Sequence, residues 1–128
     1  MNNDELDKLS NLIIGAAIDV HKTLGPGLLE HAYQVALMCE LKMRGINAKA
    51  EVEIPLTYKD CKLDTAYRAD IIVEDEIILE LKATEDIKPV YSKQLRTYLR
   101  LANKKLGLLI NFNNELLTKG ITRVVNGF

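Results

Sequence analysis

The chain has 128 residues, of which 48% are hydrophobic and 27% charged, and this composition excludes disordered, collagenous and repeat proteins. Its 17 Lys and Arg against 18 Asp and Glu give a net charge of −1, so binding to nucleic acid or to an anionic membrane would require a local patch. No apolar run reaches the roughly 20 residues of a membrane-spanning helix, and the polar start is unlike a signal peptide. We therefore expect one domain over residues 1–128 of a soluble, cytoplasmic protein that does not bind membranes.

The hydrophobic pattern predicts two helices, three strands, a third helix and two further strands. Apolar residues recur every three or four positions over residues 4–24 and 29–43, as in amphipathic helices, and Gly25-Pro26-Gly27 separates the two stretches. The pattern then changes to the alternation typical of strands. Strands are predicted over residues 51–57, 63–73, 77–83, 106–112 and 121–125, and a crossover helix over 91–102. This order indicates a mixed α/β domain.

The two cysteines predict neither a zinc site nor a disulfide framework. Cys39 lies in a predicted helix and Cys61 in a predicted strand region, without the CxxC spacing of metal sites. Both are interpreted as reduced thiols, and Cys39 as a packing residue.

Three charged residues on the second and third predicted strands form the most informative pattern. Glu80 and Lys82 are two apart on one strand and therefore share a face. A three-residue loop at 74–76 places Asp70 on the preceding strand directly opposite Glu80, on that same face. A two-residue loop would turn Asp70 to the other face, and the loop contains no glycine that favours either length.

Opposed Asp70 and Glu80 carboxylates point to a site for a divalent cation. Directly opposed residues have Cβ atoms about 4.5–5.5 Å apart, which lets two carboxylates bind one Mg²⁺ or Mn²⁺ together with the backbone carbonyl of Leu81. Such a cation would polarise a phosphodiester, and Lys82 would orient the attacking water or neutralise developing charge. The alternative is that these residues are solvated charges on the outer face of a sheet, and the spacing leaves both interpretations open.

Several motifs in the same order resemble a known protein family. Residues 27–33 read as a GxxExxY signature, residues 67–70 and 80–82 resemble the PD-(D/E)XK nuclease core, and residues 94–99 resemble the helix that follows it. With residues 108–112 and 119–121, the chain is similar to the GxxExxY protein family from about residue 13 to 125. The resemblance implies an α/β, restriction-endonuclease-like fold with an α-β-β-β-α-β core, in which helices flank a mixed sheet. It also implies membership of a superfamily dominated by Mg²⁺-dependent nucleases.

The same resemblance implies roles for individual residues. The positions of Asp70 and Glu80 match metal ligands, and that of Lys82 matches the residue that assists the attacking water. A helical acid at the position of Glu30 often completes the metal site, and Gln94 matches a glutamine near the active centre. Tyr91 departs from the histidine that we expect at that position in many relatives.

Two helical positions have alternative interpretations. Glu30 lies in the first turn of a predicted helix, near Tyr33, so it is either a metal or water ligand or an acid that stabilises the helix dipole. Gln94 and Tyr98 share one helical face and either reach the strand edge that carries Lys82 or form a buried hydrogen-bonded pair. Four basic residues on that helix either touch phosphates or form a solvated face: Lys93, Arg96, Arg100 and Lys104.

Two functional hypotheses follow. The first is a metal-dependent nuclease that hydrolyses nucleic acid, with DNA as the expected substrate and Mg²⁺ or Mn²⁺ as the cofactor. The second is a non-catalytic module that binds nucleic acid or protein on a nuclease scaffold, favoured by the near-neutral charge, the small size and the lack of an obvious DNA-grasping arm. A single site cuts both strands only as a homodimer or by successive nicks, so the oligomeric state stays open. A purely structural role leaves the co-occurrence of the five candidate site residues unexplained.

Overall fold

The computed structural model describes the backbone of residues 1–128 and the side chains of residues 1–63 and 67–128. Within this part of the chain, the elements follow the predicted order. They are α1 (Asn3–Leu24), α2 (Glu30–Met43), β1 (Ala48–Tyr58), β2 (Cys61–Val73), β3 (Ile77–Lys82), α3 (Pro89–Ala102), β4 (Leu106–Asn111), a short 3-10 helix (Leu117–Gly120) and β5 (Ile121–Val125). Among the described residues, no helix is both long and apolar enough to cross a membrane.

The five strands form one mixed sheet in which spatial order equals chain order, β1-β2-β3-β4-β5. Neighbouring strands are antiparallel except β3 and β4, which run parallel because α3 crosses between them. Helices cover both faces of the sheet. This arrangement confirms the predicted restriction-endonuclease-like α/β fold.

Each helical layer buries one face of the sheet. Because α1 repeats its apolar residues at helical spacing, its buried stripe packs with α2 on the first face, and α3 packs on the opposite face. The α1–α2 layer covers side chains such as Ile71, Leu79 and Leu81, whereas α3 covers Ile72 and Ile78. Successive strand residues therefore point to opposite layers, as the alternation predicts.

The loop between β2 and β3 has the three-residue length on which the site prediction depends. Val73 pairs with Ile77 across the loop, and Glu74 and Asp75 take positive φ angles of 52° and 55°. The loop therefore closes without glycine. Continuing this register places Asp70 opposite Glu80, as predicted.

The β1–β2 hairpin extends well beyond the third strand. β3 pairs with β2 only over residues 71–73, whereas β1 pairs with β2 as far as Tyr58 and Cys61 at the turn. This end of the hairpin therefore protrudes beyond β3, a feature that is not evident from the sequence, in which no obvious DNA-grasping arm was found. Alternation predicts where a strand runs but not how many of its residues have a second neighbouring strand, which explains the difference.

The predicted packing role of Cys39 is wrong. Its side chain is exposed, and its thiol donates a hydrogen bond to the Met43 sulfur at 4.0 Å. Leu37 and Leu41 face the core. Cys39 is two residues from each of them in the sequence, which is about 200° around the helix, so it points away from the core. Both cysteines are free thiols, as predicted, because Cys61 is also exposed and unpaired.

Candidate active site

Asp70 and Glu80 meet where β2 and β3 separate. The backbone pairing of these strands ends at Ile71 and Leu79. At the next position, side-chain carboxylates accept the backbone hydrogen bonds in place of carbonyl groups. The Asp70 N–H donates to Glu80 Oε1 at 3.2 Å, and the Leu81 N–H donates to Asp70 Oδ2 at 2.8 Å. The two carboxylates are therefore fixed beside each other by the backbone of the opposite strand.

The backbone carbonyl of Leu81 faces the same side of β3. In a strand, the N–H and C=O of one residue point toward the same neighbouring strand. The Leu81 N–H is directed at Asp70 on β2, whereas the Lys82 carbonyl accepts from the Phe112 N–H on the other side at 2.8 Å. The Leu81 carbonyl therefore faces β2, the strand that carries the Asp70 carboxylate.

Burial raises the pKa of both carboxyl groups. Glu80 is only 8% exposed, and its burial, together with the negative charge of Asp70, raises its pKa to about 8. Burial also raises the pKa of Asp70, although the hydrogen bond from Leu81 and the positive charge of Lys82 oppose this shift. A metal-free site therefore holds a proton near neutral pH, which a bound cation would displace.

Lys82 supplies positive charge beside this pair and is held against an aromatic ring. Its ammonium nitrogen lies 4.4 Å from the ring centroid of Tyr91 on α3, within cation–π range. Its charge lowers the pKa values of Asp70 and Glu80 against the larger effect of burial. The Tyr91 contact joins a strand to a helix, so no local spacing in the sequence indicates it.

Glu30 approaches the same site from the start of α2. It is half-buried, and burial followed by the negative charge of Asp70 raises its pKa, while Lys82 lowers it. The structure therefore brings Glu30 into electrostatic range of the strand residues. It lies at the helix N-terminus, as both interpretations of its role require.

Tyr33 fixes the loop that leads to Glu30. Its hydroxyl donates to the Gly25 carbonyl at 2.6 Å and accepts from the Leu28 N–H at 3.1 Å. Its ring is fully buried and stacks on Phe112 with a centroid distance of 4.5 Å. The tyrosine of the GxxExxY signature thus holds the backbone on the N-terminal side of its glutamate.

We expect Tyr33→Phe to lower the free energy of unfolding by about 1–3 kcal/mol, because it leaves the Leu28 N–H and the Gly25 carbonyl without their partner while the ring still packs. Urea unfolding followed by circular dichroism measures the change. Tyr58→Phe is the matched control, because Tyr58 is 61% exposed and is expected to change stability little. Equal stability of the two variants would contradict the proposed role of the hydroxyl.

Gln94 lies on α3 and contacts Tyr98 rather than the carboxylates. Its Nε2 donates to the Tyr98 hydroxyl at 2.8 Å, so the two residues form the hydrogen-bonded pair of one interpretation, but Gln94 is exposed and only Tyr98 is buried. Tyr98 is buried, and burial followed by the negative charge of Glu80 raises its pKa, so Tyr98 lies within electrostatic range of the acidic pair. Three of the four basic residues are solvent-exposed on α3: Lys93, Arg96 and Arg100. The expected place of Lys104 on this helix is wrong, because Lys104 lies beyond its end and pairs with Asp75 at 3.2 Å.

A sequence profile of the PD-(D/E)XK nuclease superfamily matches residues 7–124. The chain belongs to this superfamily. The match extends from α1 to β5 and confirms the superfamily predicted from the motifs. Searches of curated proteins and of solved structures found no match.

One buried polar residue of this PD-(D/E)XK domain escaped the sequence analysis. Asn111, 1% exposed at the end of β4, accepts from the Thr84 N–H at 3.1 Å and donates to the Thr84 carbonyl at 2.9 Å and to Asn114 Oδ1 at 3.0 Å. It pairs directly with Lys82 in the sheet. Asn111 thus ties together the loops that follow β3 and β4 beside the site. The signal that could have identified Asn111 is a polar residue at the end of an otherwise apolar strand.

The oxygen donors of the site fit a hard divalent cation. Among the described side chains, no group of three or more His, Cys, Asp or Glu is arranged to hold a metal ion. The pair Asp70 and Glu80 supplies two carboxylates, and the Leu81 carbonyl, a backbone group, is available as a third oxygen. A donor set of oxygens without histidine or cysteine suits Mg²⁺ or Mn²⁺ rather than Zn²⁺. A cation that displaced the proton of this pair would neutralise two carboxylates that burial makes costly to ionise.

Proposed function

We propose that residues 1–128 form one domain of a metal-dependent nuclease that hydrolyses phosphodiester bonds, with DNA as the expected substrate. The observation that carries this proposal is the pair of half-buried Asp70 and buried Glu80, each carboxylate held by a backbone N–H of the opposite strand beside Lys82. Such a pair costs folding energy unless protons or a cation neutralise it. Membership of the PD-(D/E)XK superfamily supports the same chemistry. We expect the protein in the cytoplasm.

In this proposal, Asp70, Glu80 and the Leu81 carbonyl hold Mg²⁺ or Mn²⁺, with Glu30 as a further direct or water-mediated ligand. When bound, the cation supplies Lewis-acid polarisation of the phosphodiester and lowers the pKa of a bound water. The protein supplies oxygen ligands whose positions are set before the metal arrives, because backbone N–H groups orient both strand carboxylates.

Lys82 acts on the reacting groups in this proposal. Its ammonium donates a hydrogen bond to the attacking water or to the phosphate oxygen on which negative charge develops. The Tyr91 ring restricts the ammonium to the α3 side of the strand, which reduces the entropy lost in positioning it. Gln94 and Tyr98 lie beside the site where the substrate strand would pass.

A non-catalytic nucleic-acid-binding module is the second candidate. The observation that favours it is the lack, among the described side chains, of a preformed group of three metal-ligating residues. The two candidates differ in their response to chelation. Binding by a non-catalytic module survives EDTA and the loss of Glu80, whereas hydrolysis does not.

A cleavage panel tests the proposed function. Supercoiled plasmid, linear duplex DNA, single-stranded circular DNA and RNA are incubated with the protein in Mg²⁺ or Mn²⁺, with EDTA as the blank. We expect cleavage of at least one substrate by the native protein and by Glu53→Ala, which removes an exposed strand glutamate, and none by Glu80→Ala. No cleavage across the panel in either metal, or equal cleavage by Glu80→Ala, would contradict the proposal.

The plasmid arm of the panel also bears on the oligomeric state. A monomer with one site produces nicked circles before linear DNA, whereas a homodimer with two sites on opposite strands produces linear DNA directly. Sedimentation of the protein under the same conditions checks the assignment. Direct linearisation by a sedimenting monomer would contradict this interpretation.

A further inference from the structure

A pocket of about 380 Å³ opens between α3 and β2, next to the acidic pair. Its lining residues are Tyr67, Val90, Lys93, Gln94, Thr97 and Tyr98. The proposed metal ligands do not line it, so it is a separate feature of the surface. It adjoins them through Tyr98, whose pKa is raised by burial and by the nearby negative charges of Glu80 and Asp70.

The pocket presents an aromatic ring to solvent. Tyr67 is 40% exposed on β2, and its ring centroid lies 5.5 Å from that of buried Tyr98, with the ring planes tilted by 48°. Tyr98 therefore supports the ring of Tyr67 from the protein side. Exposed aromatic rings held in this way are the platforms on which proteins stack unpaired bases.

Polar groups beside this ring match those of a base and its phosphate. Because one Gln94 amide N–H donates to the Tyr98 oxygen, the pair keeps the Tyr98 O–H and the second Gln94 N–H as donors and the Gln94 carbonyl oxygen as an acceptor. The edges of nucleobases carry this combination of acceptors and donors. The ammonium of Lys93, exposed on the same pocket wall, suits a phosphate oxygen.

The position along β2 relates the pocket to the cleavage site. Tyr67 precedes Asp70 by three residues on this strand, a separation of about 10 Å. Strict alternation would put the two side chains on opposite faces, but the Tyr67 ring packs on Tyr98 of α3 and so lies on the side where Lys82 meets Tyr91. A nucleotide seated at Tyr67 is thus a near neighbour of a phosphate at the carboxylates. A base within a duplex cannot enter such a pocket without leaving its stack.

We propose that this pocket is a subsite for one unpaired nucleobase of the substrate, stacked on Tyr67, and that the protein therefore selects single-stranded or locally unpaired nucleic acid. The inference deepens the proposed nuclease function and rests on it for the identity of the ligand. Tyr67 and Lys93 are the specificity residues that it adds to the metal-binding pair.

Binding in EDTA tests this subsite without requiring catalysis. Fluorescence anisotropy compares a labelled oligothymidylate with a blunt duplex of equal length at low salt, for the native protein, Tyr67→Phe and Tyr67→Leu. The phenylalanine variant keeps the aromatic face, whereas the leucine variant removes it. Because Tyr67 is exposed on its strand, we expect both variants to fold. We expect Tyr67→Leu to lower affinity for the single strand about ten- to hundred-fold and to change duplex affinity little, while Tyr67→Phe behaves as native.

An abasic oligomer of the same length separates base stacking from phosphate contact. The native protein is expected to bind it about as weakly as Tyr67→Leu binds oligothymidylate. Tyr58→Leu, which removes an exposed tyrosine at the hairpin turn, is the position control and is expected to keep the single-strand preference. Equal native affinity for the abasic and base-carrying strands, no preference for single strands, or no effect of Tyr67→Leu would each overturn the inference.

The failure of this inference can be distinguished from failure of the proposed nuclease function. If Tyr67-dependent single-strand binding is found but the protein neither binds Mn²⁺ nor cleaves, the subsite stands and the nuclease proposal is wrong. If the protein cleaves in Mn²⁺ and Tyr67→Leu retains native binding and native strand preference, the nuclease proposal stands and the subsite is wrong.

Discussion

Lys82→Met is expected to slow phosphodiester cleavage by about 100-fold or more while the protein still binds Mn²⁺. The proposed metal ligands are the carboxylates of Asp70 and Glu80, and this variant leaves both in place. What it removes is the only ammonium placed beside them by β3, and groups that transfer protons or stabilise charge in a transition state typically contribute about 10²–10⁴-fold. The measurement is single-turnover cleavage of the best substrate from the panel, alongside calorimetric titration of Mn²⁺.

Lys105→Met is the matched control for this prediction. Lys105 is exposed and immediately precedes β4, whereas Lys82 lies at the far end of the parallel strand β3. The control should cleave at the native rate. If Lys82→Met cleaves as fast as Lys105→Met, Lys82 has no role in the reaction. If Lys82→Met also loses Mn²⁺ binding, its role is structural rather than chemical.

Glu80→Gln is expected to stabilise the metal-free protein at about pH 8, relative to the native chain. Each unit of pKa shift corresponds to about 1.4 kcal/mol, and burial together with Asp70 raises the pKa of Glu80 from 4.5 to about 8. Ionising this side chain in the fold therefore costs on the order of a few kcal/mol. Glutamine is uncharged, and its carbonyl oxygen can still accept the hydrogen bond from the Asp70 N–H.

The sign of the pH dependence follows from proton uptake. Between about pH 4.5 and 8, folded Glu80 keeps its proton while the unfolded chain releases it, so the folded state binds more protons. The free energy of unfolding of the native protein should therefore fall as the pH rises through this window. The decrease should be much smaller in Glu80→Gln, where only the weaker shifts of Asp70 and Glu30 remain.

Urea unfolding in EDTA at several pH values measures this dependence, and Mn²⁺ provides the second arm. Adding Mn²⁺ near pH 8 should restore stability to the native protein, because a ligand that binds only the folded state stabilises it, but it should have little effect on Glu80→Gln. Glu53→Gln is the control, because this exposed glutamate lies on β1 opposite Arg68 and is not among the charges that shift the pKa of Asp70 or Glu80. Parallel stability curves for native, Glu80→Gln and Glu53→Gln proteins would contradict the assigned burial and coupling of Glu80.

Much of this geometry could be predicted from the sequence, because it depends on local periodicity. Alternation places Glu80 and Lys82 on one face of β3 in any regular strand. The decisive uncertainty was one residue of loop length, and the structure resolves it: three loop residues align Asp70 with Glu80. The motif-based prediction of the superfamily is confirmed by the match over residues 7–124.

The contacts that escaped the sequence analysis join elements far apart in the chain. Tyr91 meets Lys82 only because α3 packs against that face of the sheet, and Asn111 reaches Thr84 only because β3 and β4 lie side by side. The pocket at Tyr67 likewise requires the relative placement of β2 and α3. Exposure of Cys39 followed from where the apolar stripe of α2 is centred, which its mixed composition does not define sharply. The contacts of Tyr91 and Asn111 and the pocket at Tyr67 thus depend on tertiary packing, whereas the exposure of Cys39 depends on its position around α2.

The central claim is that Asp70 and Glu80 bind a divalent cation, and calorimetric titration with Mn²⁺ tests it most directly because it needs no substrate. The native protein is compared with Asp70→Asn/Glu80→Gln and with a charge-matched control, Glu53→Gln/Asp60→Asn, which alters two exposed carboxylates. Circular dichroism confirms that all three are folded. The account predicts saturable binding by the native and control proteins that disappears in Asp70→Asn/Glu80→Gln. Equal binding by all three proteins, or no binding by the native protein, would contradict it.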